Sequence, residues 1–521
     1  MPGDAAVNTS VFAASFAAYT LAIIGVGVYS ARFARRSDED YFLAGRSLGG
    51  WVAALSASAS SESGWVTLGL VGWAFTSGVS AYWIIPGCLL GFLFNWFVIA
   101  ARLRDRSVQL NALTIPDFFA FSFRERLPLL RVLSVVVILV AMLLYVAAQL
   151  AAAGKAFSAS FGLRYEYGVL TGLVIVLVYT VVGGFRAVCW TDFLQALLMV
   201  GTLVVFPIYL LATKGGFGFI EDSLAGITNS DGLTLLGWTP DKTGMAFMGF
   251  LLGAGALGIN FGYPGQPHVL IRFMALRKHS EVIVGGIVSF IWGALVYWGA
   301  VTVGLMARAM TERGAMWGQK MLAEETQQVY KELGLVLSAI NMLPGVLAGL
   351  VLAAVLAAIC STADSQLVVA ASSAANDLYA RLLSKDPSKP HMLVNRCVVL
   401  ALGLGAFALV VFDPVEVYSY VLTYGWAILG ASFGPQMILL LLWRRASYAG
   451  CVAGMFAGFA VAIIWKQLYD ATETGVEVYN LPLAFVTALV VNVIISLFRP
   501  DAAQVRASCT QQGRRINKDE G

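Results

Sequence analysis

SASASSESGW, residues 56–65, places five serines, a glutamate and a glycine inside a run of apolar residues. WVAAL precedes it and VTLGLVGWAF follows it. What such a stretch means depends on the solvent around the segment that carries it.

That solvent is lipid. The chain of 521 residues is 59% hydrophobic and only 12% charged, about half the charged fraction of a soluble domain, which is roughly 25%. Apolar runs of about 17 to 25 residues read as membrane spans, and thirteen are expected. They cover residues 11–30, 51–75, 79–101, 133–154, 167–184, 193–211, 245–262, 282–307, 343–370, 398–412, 417–443, 448–465 and 481–498. Hydrocarbon offers backbone groups no partner, so the spans are helices. The class is an all-α integral membrane protein.

No basic residue precedes the first span, and Arg32, Arg35 and Arg36 follow it. A secretory signal carries its positive charge in front, so this span is expected to stay, with the N-terminus outside. With thirteen spans the inner segments then hold 24 Lys and Arg, the outer ones 7, and Arg131, Arg308 and Lys466 lie at span ends. This bias obeys the positive-inside rule and puts the C-terminus in the cytoplasm. Six scattered cysteines form no CxxC pair, so neither a disulfide nor a metal site other than one for Na⁺ is expected. The net charge of +4 points to no partner beyond the bilayer, and no nucleic-acid partner is expected.

Three spans are not ordinary. The second holds SASASSESGW. The seventh holds GAGALGINFGYPGQPH, residues 253–268, rich in glycine with Pro264 and Pro267. The ninth carries AAICSTADSQ, residues 357–366, with Ser361, Thr362, Asp364 and Ser365. Five spans separate the starts of the two glycine- and serine-broken ones. Spans two to six and seven to eleven thus form two five-helix sets that enter from opposite sides, an inverted repeat. Paired broken spans in matching positions point to a transporter's central site. Unwinding frees carbonyls that can replace a cation's water, and a half-helix N-terminus suits a substrate carboxylate.

Packing is the plain alternative, since small residues let helices approach. It accounts for scattered Gly and Ala, but not for Glu62, because a mid-membrane carboxylate costs about 2.5–3.5 kcal/mol even on a lenient scale. Hydroxyls and carboxylates at 361–365 are hard oxygen ligands suited to a hard cation, Na⁺ first. Helical spacing puts Ser361, Asp364 and Ser365 on one face and turns Thr362 about 100° away, toward a second neighbour. Hydroxyls bonded back to their own helix are the alternative there.

Four stretches carry a resemblance: GGFRAVCWTDFLQ (183–195), SASASSESGW, FGYPGQPHVLIRFMA (261–275) and STADSQLVVAASSAANDLY (361–379). Together they resemble the sodium:solute symporter family, from about DEDYFLAGRSLG (38–49) to the last span. The nearest branch is the bacterial proline-transporting one, through GQPH, RFMA and ALTIPDFF (112–119).

The resemblance implies a LeuT-type five-plus-five inverted repeat with peripheral helices. Residues 1–48 would form the first helix and inner loop. The transport core would span 49–443, with repeats at about 49–212 and 244–443. Two further helices would cover 444–498, and a polar tail 499–521. It also implies a sodium site made by the carbonyls of Ala59, Glu62 and Ala358 and the hydroxyls of Ser361 and Thr362. A second sodium site would use Asp192, Ser361, Asp364 and Ser365. Substrate would lie against Ser63, Gly64, Trp65 and Tyr145 and the break at Asn260, Phe261 and Tyr263.

Two positions depart from the proline branch. Ser61 stands where that branch has an Asp, so that Glu62, one residue on and one methylene longer, is expected to stand in for it. Ile259 stands where that branch often has Trp.

The expected function is uptake of a small amino acid, proline first, driven by the Na⁺ gradient across the bacterial inner membrane. Alternatives are another small solute (a different amino acid, a carboxylate or a sugar), proton coupling through Glu62, and a membrane sensor, against which stands a tail too short for a signalling domain. No enzyme activity and no cofactor are expected, since no nucleotide loop or nucleophile–base pair occurs. The three histidines, His268, His279 and His391, are expected near inner faces.

Overall fold

The structure is a computed structural model and describes residues 9–30, 38–229, 233–239, 244–323, 330–384, 392–470 and 478–499. The expected tail beyond Arg499 lies outside the described residues. Among them the chain is helical, with two isolated β-bridges, Leu48 to Leu276 and Thr228 to Thr234.

The helices used below are α1 (Thr9–Ser30), α2 (Gly50–Ser61), α3 (Val71–Ser77), α4 (Ile84–Phe94), α5 (Ile115–Phe123), α6 (Leu129–Phe161), α7 (Tyr165–Lys214) and α8 (Met245–Leu251). They continue with α9 (Pro267–Met274), α10 (Glu281–Glu312), α11 (Gly345–Ser372), α12 (Met392–Val410), α13 (Ala427–Leu442), α14 (Tyr448–Asp470) and α15 (Asn480–Phe498). Ten of the described helical segments are long and apolar enough to cross a membrane.

The second and seventh expected spans are the interrupted ones. Helix α2 stops at Ser61, Glu62 leaves helical geometry at φ −98°, ψ 69°, and a π-helical stretch, Trp65–Leu70, restarts the path into α3. The seventh span breaks into α8, a 3₁₀ segment Leu257–Gly265, and α9. The fifth and sixth expected spans run on as α7, bent at Gly184, where φ 63°, ψ 178° is open to glycine and to few other residues.

Helix α11 is the axis of the bundle. Every residue from Val351 to Ser373 is buried, with α1, α2, α6, α7 and α12 packed around it. Its alanines and serines allow that close approach. Helices α14 and α15 pair with each other and rest on α13, outside the core. The second break lies on α13 through glycine: a Cβ on Gly265 would stand 2.6 Å from the Leu429 carbonyl oxygen.

The charge count shifts by one residue. Arg272, counted with an inner loop, is fully buried in α9 among the helices. Its neighbours Arg277 and Lys278 stay exposed. The inner excess over the outer segments remains large without it.

Candidate functional site

Four of the five serines bond outward, across to other helices. Ser56 Oγ donates to Asp192 Oδ2 of α7 at 2.7 Å, and Ser58 Oγ to Ser289 Oγ of α10 at 3.2 Å. Ser60 Oγ meets Ser365 Oγ of α11 at 2.9 Å, and Ser63 Oγ accepts from Gln149 Nε2 of α6 at 3.1 Å. Ser61 alone of the five donates back to its own helix, to Ser58 O at 3.1 Å. All five are buried. Hydroxyls on a broken helix thus form the polar hub at which α6, α7, α10 and α11 meet.

The end of α2 leaves the carbonyls of its last turn without intrahelical partners. Two hydroxyls of α11 take them. Ser361 Oγ donates to Ala59 O at 3.0 Å and lies 3.1 Å from Ala358 O. Thr362 Oγ1 lies 3.0 Å from Ser60 O and 3.4 Å from Ala59 O. Ala59, Ala358, Ser361 and Thr362 therefore come together as expected, and Ser60 joins them through a carbonyl that the sequence reading did not name. Among the described residues no hydrogen bond ties Glu62 to this cluster. Thr362 does not turn to a second neighbour: it and Ser361 both meet the last turn of α2, at the adjacent carbonyls of Ala59 and Ser60.

Asp192, Asp364 and Ser365 also converge, around a group the sequence reading missed. Arg272 Nη2 donates to Asp192 Oδ2 at 2.8 Å, to Ser60 Oγ at 2.7 Å and to Ser365 Oγ at 2.6 Å. Its Nε donates to Ser56 Oγ at 3.0 Å, and its Nη1 bonds the His268 carbonyl. Asp364 has only a 3.4 Å contact from Ser365 Oγ, and Asp192 Oδ1 and Asp364 Oδ2 have no hydrogen-bond partner among the described residues. Arg272 pairs with Asp192, and Asp364 beside them has no salt bridge among the described residues. The signal for Arg272 was present in FGYPGQPHVLIRFMA, a lone arginine in an apolar run.

The two breaks are held by side chains. Gln149 Oε1 accepts from Gly64 N at 3.0 Å, and Trp65 Nε1 donates to Ser61 O at 2.9 Å. On the other break Trp426 Nε1 donates to Ile259 O at 3.0 Å, and Asn95 Nδ2 to Tyr263 O at 2.8 Å. Without water in the bilayer these partners make the unwound backbone tolerable.

Around Glu62 the expected substrate residues fall into two groups. Ser63, Gly64, Trp65, Tyr145 and Tyr263 are buried together, and the Tyr145 hydroxyl has no partner among the described residues. Asn260 is half-buried, and Phe261 packs on Phe485 of α15 with ring centroids 5.2 Å apart, so Phe261 faces a peripheral helix. Tyr297 of α10 and Gln149, not foreseen, line the first group. His268 is not at an inner face but buried beside Tyr145, centroids 6.0 Å apart. His279 is exposed beside Asp105, and His391 lies outside the described residues.

Buried ion pairs sit near both ends of α6. At one end Lys155 Nζ of α6 meets Glu332 Oε2 at 2.5 Å, and Glu332 Oε1 accepts from Tyr418 N at 3.0 Å. At the other, Arg131 Nη1 contacts Asp117 Oδ1 of α5 at 2.6 Å and Asp377 Oδ1 at 2.5 Å, while Thr114 Oγ1 donates to Asp377 Oδ2 at 2.7 Å.

With this geometry in hand, known proteins are informative. A model of the sodium:solute symporter family matches residues 41–458. The sodium/proline symporter of Escherichia coli (strain K12) is 37% identical over 461 residues, 87% of this chain and 87% of that protein. That of Staphylococcus aureus (strain USA300 / TCH1516) is 33% identical over 489 residues, 92% of this chain and 91% of that protein. Among solved structures, a Na⁺-coupled sialic acid symporter in a substrate-bound outward-open state superposes with a TM-score of 0.73 at 21% identity, over 94% of this chain and 98% of that one. This likeness shows the fold, the LeuT-type five-plus-five arrangement with peripheral helices that the family resemblance implied.

Proposed function

Since the chain belongs to the sodium:solute symporter family, we propose that it imports a small amino acid, L-proline first, down the Na⁺ gradient by alternating access. The observation that carries this reading is the meeting of the Ser361 and Thr362 hydroxyls with the Ala59 and Ser60 carbonyls at the break. Oxygens of this kind replace the water of a hard cation. The ion's ligands are then Ala59 O, Ser60 O, Ala358 O, Ser361 Oγ and Thr362 Oγ1, with the Glu62 carbonyl next along the chain. Proline enters as the solute of the two relatives named above.

Coupling follows from where the ligands sit. Half belong to the broken segment and half to α11, so an ion there ties the two together in a way the empty site does not. Binding energy that differs between states is what shifts a conformational equilibrium. The ion pairs at Lys155–Glu332 and at Arg131–Asp377 lie near opposite ends of α6, and opening one while keeping the other is the motion that alternating access requires. The Lys and Arg bias places the Arg131 end in the cytoplasm.

The test is uptake of radiolabelled proline into proteoliposomes with and without an inward Na⁺ gradient. Na⁺-dependent accumulation is expected. Full uptake driven by a pH gradient in Na⁺-free buffer would overturn the reading and favour proton coupling through Glu62.

A further inference from the structure

Glu62 ends α2, is fully buried, and its carboxylate makes no hydrogen bond to Ser361 or Thr362 among the described residues. Oε1 accepts from Ser61 Oγ at 2.9 Å and from the Tyr263 hydroxyl at 3.5 Å, and Tyr263 in turn meets Tyr297 at 3.0 Å, hydroxyl to hydroxyl. Oε2 has no hydrogen-bond partner among the described residues.

Four other deeply buried carboxylates differ; Asp364 alone shares the lack of a salt bridge among the described residues, and it lies beside the Arg272–Asp192 pair, not among aromatic rings. Asp192 sits on Arg272, Asp117 and Asp377 on Arg131, and Glu332 on Lys155. The bonds of those bases are made at their own sites, and Glu62 has no salt bridge among the described residues. A carboxylate at membrane depth persists beside a counter-charge or a solvated cavity. The protein gives it aromatic rings. Tyr263 and Tyr297 stand at the carboxylate, Trp65 lies 6.1 Å from Tyr297 and Trp426 4.8 Å from Tyr263, centroid to centroid. A carboxylate without a counter-charge among aromatic faces is the chemistry that recognises an ammonium group, by charge-assisted hydrogen bonding and by cation–π attraction. Na⁺, in contrast, finds its oxygens on the side facing α11.

We propose that the Glu62 carboxylate is a specificity-determining group that binds the protonated amine of the transported solute, so that a solute without an ammonium is rejected. This rests on the reading of the chain as an amino-acid symporter. It divides the labour at the break: carbonyls and α11 hydroxyls hold the ion, and the first side chain of the unwound segment holds the solute's positive end. Helix α2 ends with Ser61, so Glu62 is the first residue free to turn out of the helix toward Tyr263.

The experiment measures Na⁺-driven uptake in proteoliposomes for the parent, Glu62→Gln, Glu62→Met and Glu62→Asp, with protein abundance measured alongside. Labelled proline, alanine, succinate and glucose are offered, and unlabelled cyclopentanecarboxylate, which is proline without its amine, competes. The parent is expected to take up an amino acid and to ignore cyclopentanecarboxylate. In the Gln and Met variants KM for that amino acid should rise about 10- to 100-fold, the range for losing a hydrogen bond to a charged group, with half-maximal Na⁺ within about twofold of the parent. Cyclopentanecarboxylate should gain relative to proline, and Glu62→Asp should keep the parent's preference. Were both neutral variants to misfold, the Asp variant and the parent's rejection of the amine-free analogue would still decide it. A raised Na⁺ requirement at unchanged KM would make Glu62 an ion ligand, and loss of a pH dependence alone a proton carrier; either overturns the proposal. A parent that takes up only succinate or glucose overturns the amino-acid reading itself, and a parent that shows no Na⁺ stimulation overturns the coupling instead.

Discussion

The Arg272 guanidinium donates to the Asp192 carboxylate at 2.8 Å, with neither side chain exposed. A base from the second interrupted span is thereby locked to an acid of the first repeat, beside the serines of the first interrupted span. Removing one partner of such a pair strands a buried charge, which costs about 3–5 kcal/mol. Arg272→Met alone is expected to lower the thermal unfolding midpoint in detergent markedly, and Arg272→Met with Asp192→Asn to recover much of it. Equal loss in the single and double variants would show that the two residues act independently.

With Arg272 matched to Asp192, the remaining carboxylate of the cluster is Asp364. It is the group that would draw a second Na⁺. Na⁺ activation of uptake is expected to show a Hill coefficient above one, falling toward one in Asp364→Asn. A coefficient of one in the parent would make Asp364 structural.

Ser361→Ala and Thr362→Ala should each raise the Na⁺ concentration for half-maximal uptake about 5- to 150-fold, the range for roughly 1–3 kcal/mol per lost ligand. Alanine keeps α11 helical, so abundance should hold. Unchanged Na⁺ dependence in both would leave these hydroxyls as ties between helices only.

At the Lys155 end, Glu332→Gln removes the acid that holds both Lys155 Nζ and Tyr418 N. If this latch stabilises the closed end, the variant should label faster with a membrane-impermeant thiol reagent at a cysteine introduced at Tyr145, above a Cys-free background. Na⁺ should alter that rate in the parent. Identical labelling with and without the substitution would remove Glu332 from the gate.

Gly265 lies against α13, where a Cβ would stand 2.6 Å from Leu429 O and 2.7 Å from Gly430 Cα. Backbone cannot step aside as a flexible side chain can. Gly265→Ala is expected to destabilise by about 1–3 kcal/mol, read as a lower unfolding midpoint, while Gly201→Ala, with open space around it, should not.

Much of this molecule could be read in one dimension. Lipid leaves a chain few choices, so composition and run length alone dictated a helical bundle, and the polar residues that broke two runs marked the break sites, because such groups at membrane depth need a purpose. Ser361, Thr362 and Asp364 stood out for that same reason, and Asp192 through the family resemblance. Which partner each of them met was decided elsewhere. Arg272 reads in the chain as a base near an inner loop, yet it is packed against Asp192 because α9, after the second break, packs on α2 and α11. Ser60 contributes a carbonyl, which no side-chain pattern can display. The partners of the Glu62 carboxylate, Ser61 and Tyr263, are set by where α2 unwinds and by which hydroxyls the packing brings there. Lipid solvation acts on each residue singly and can be read from a sequence. Pairing of buried polar groups depends on contacts such as Arg272 to Asp192 and Ser361 to Ala59, 80 and 302 residues apart, and only the packed fold brings those together.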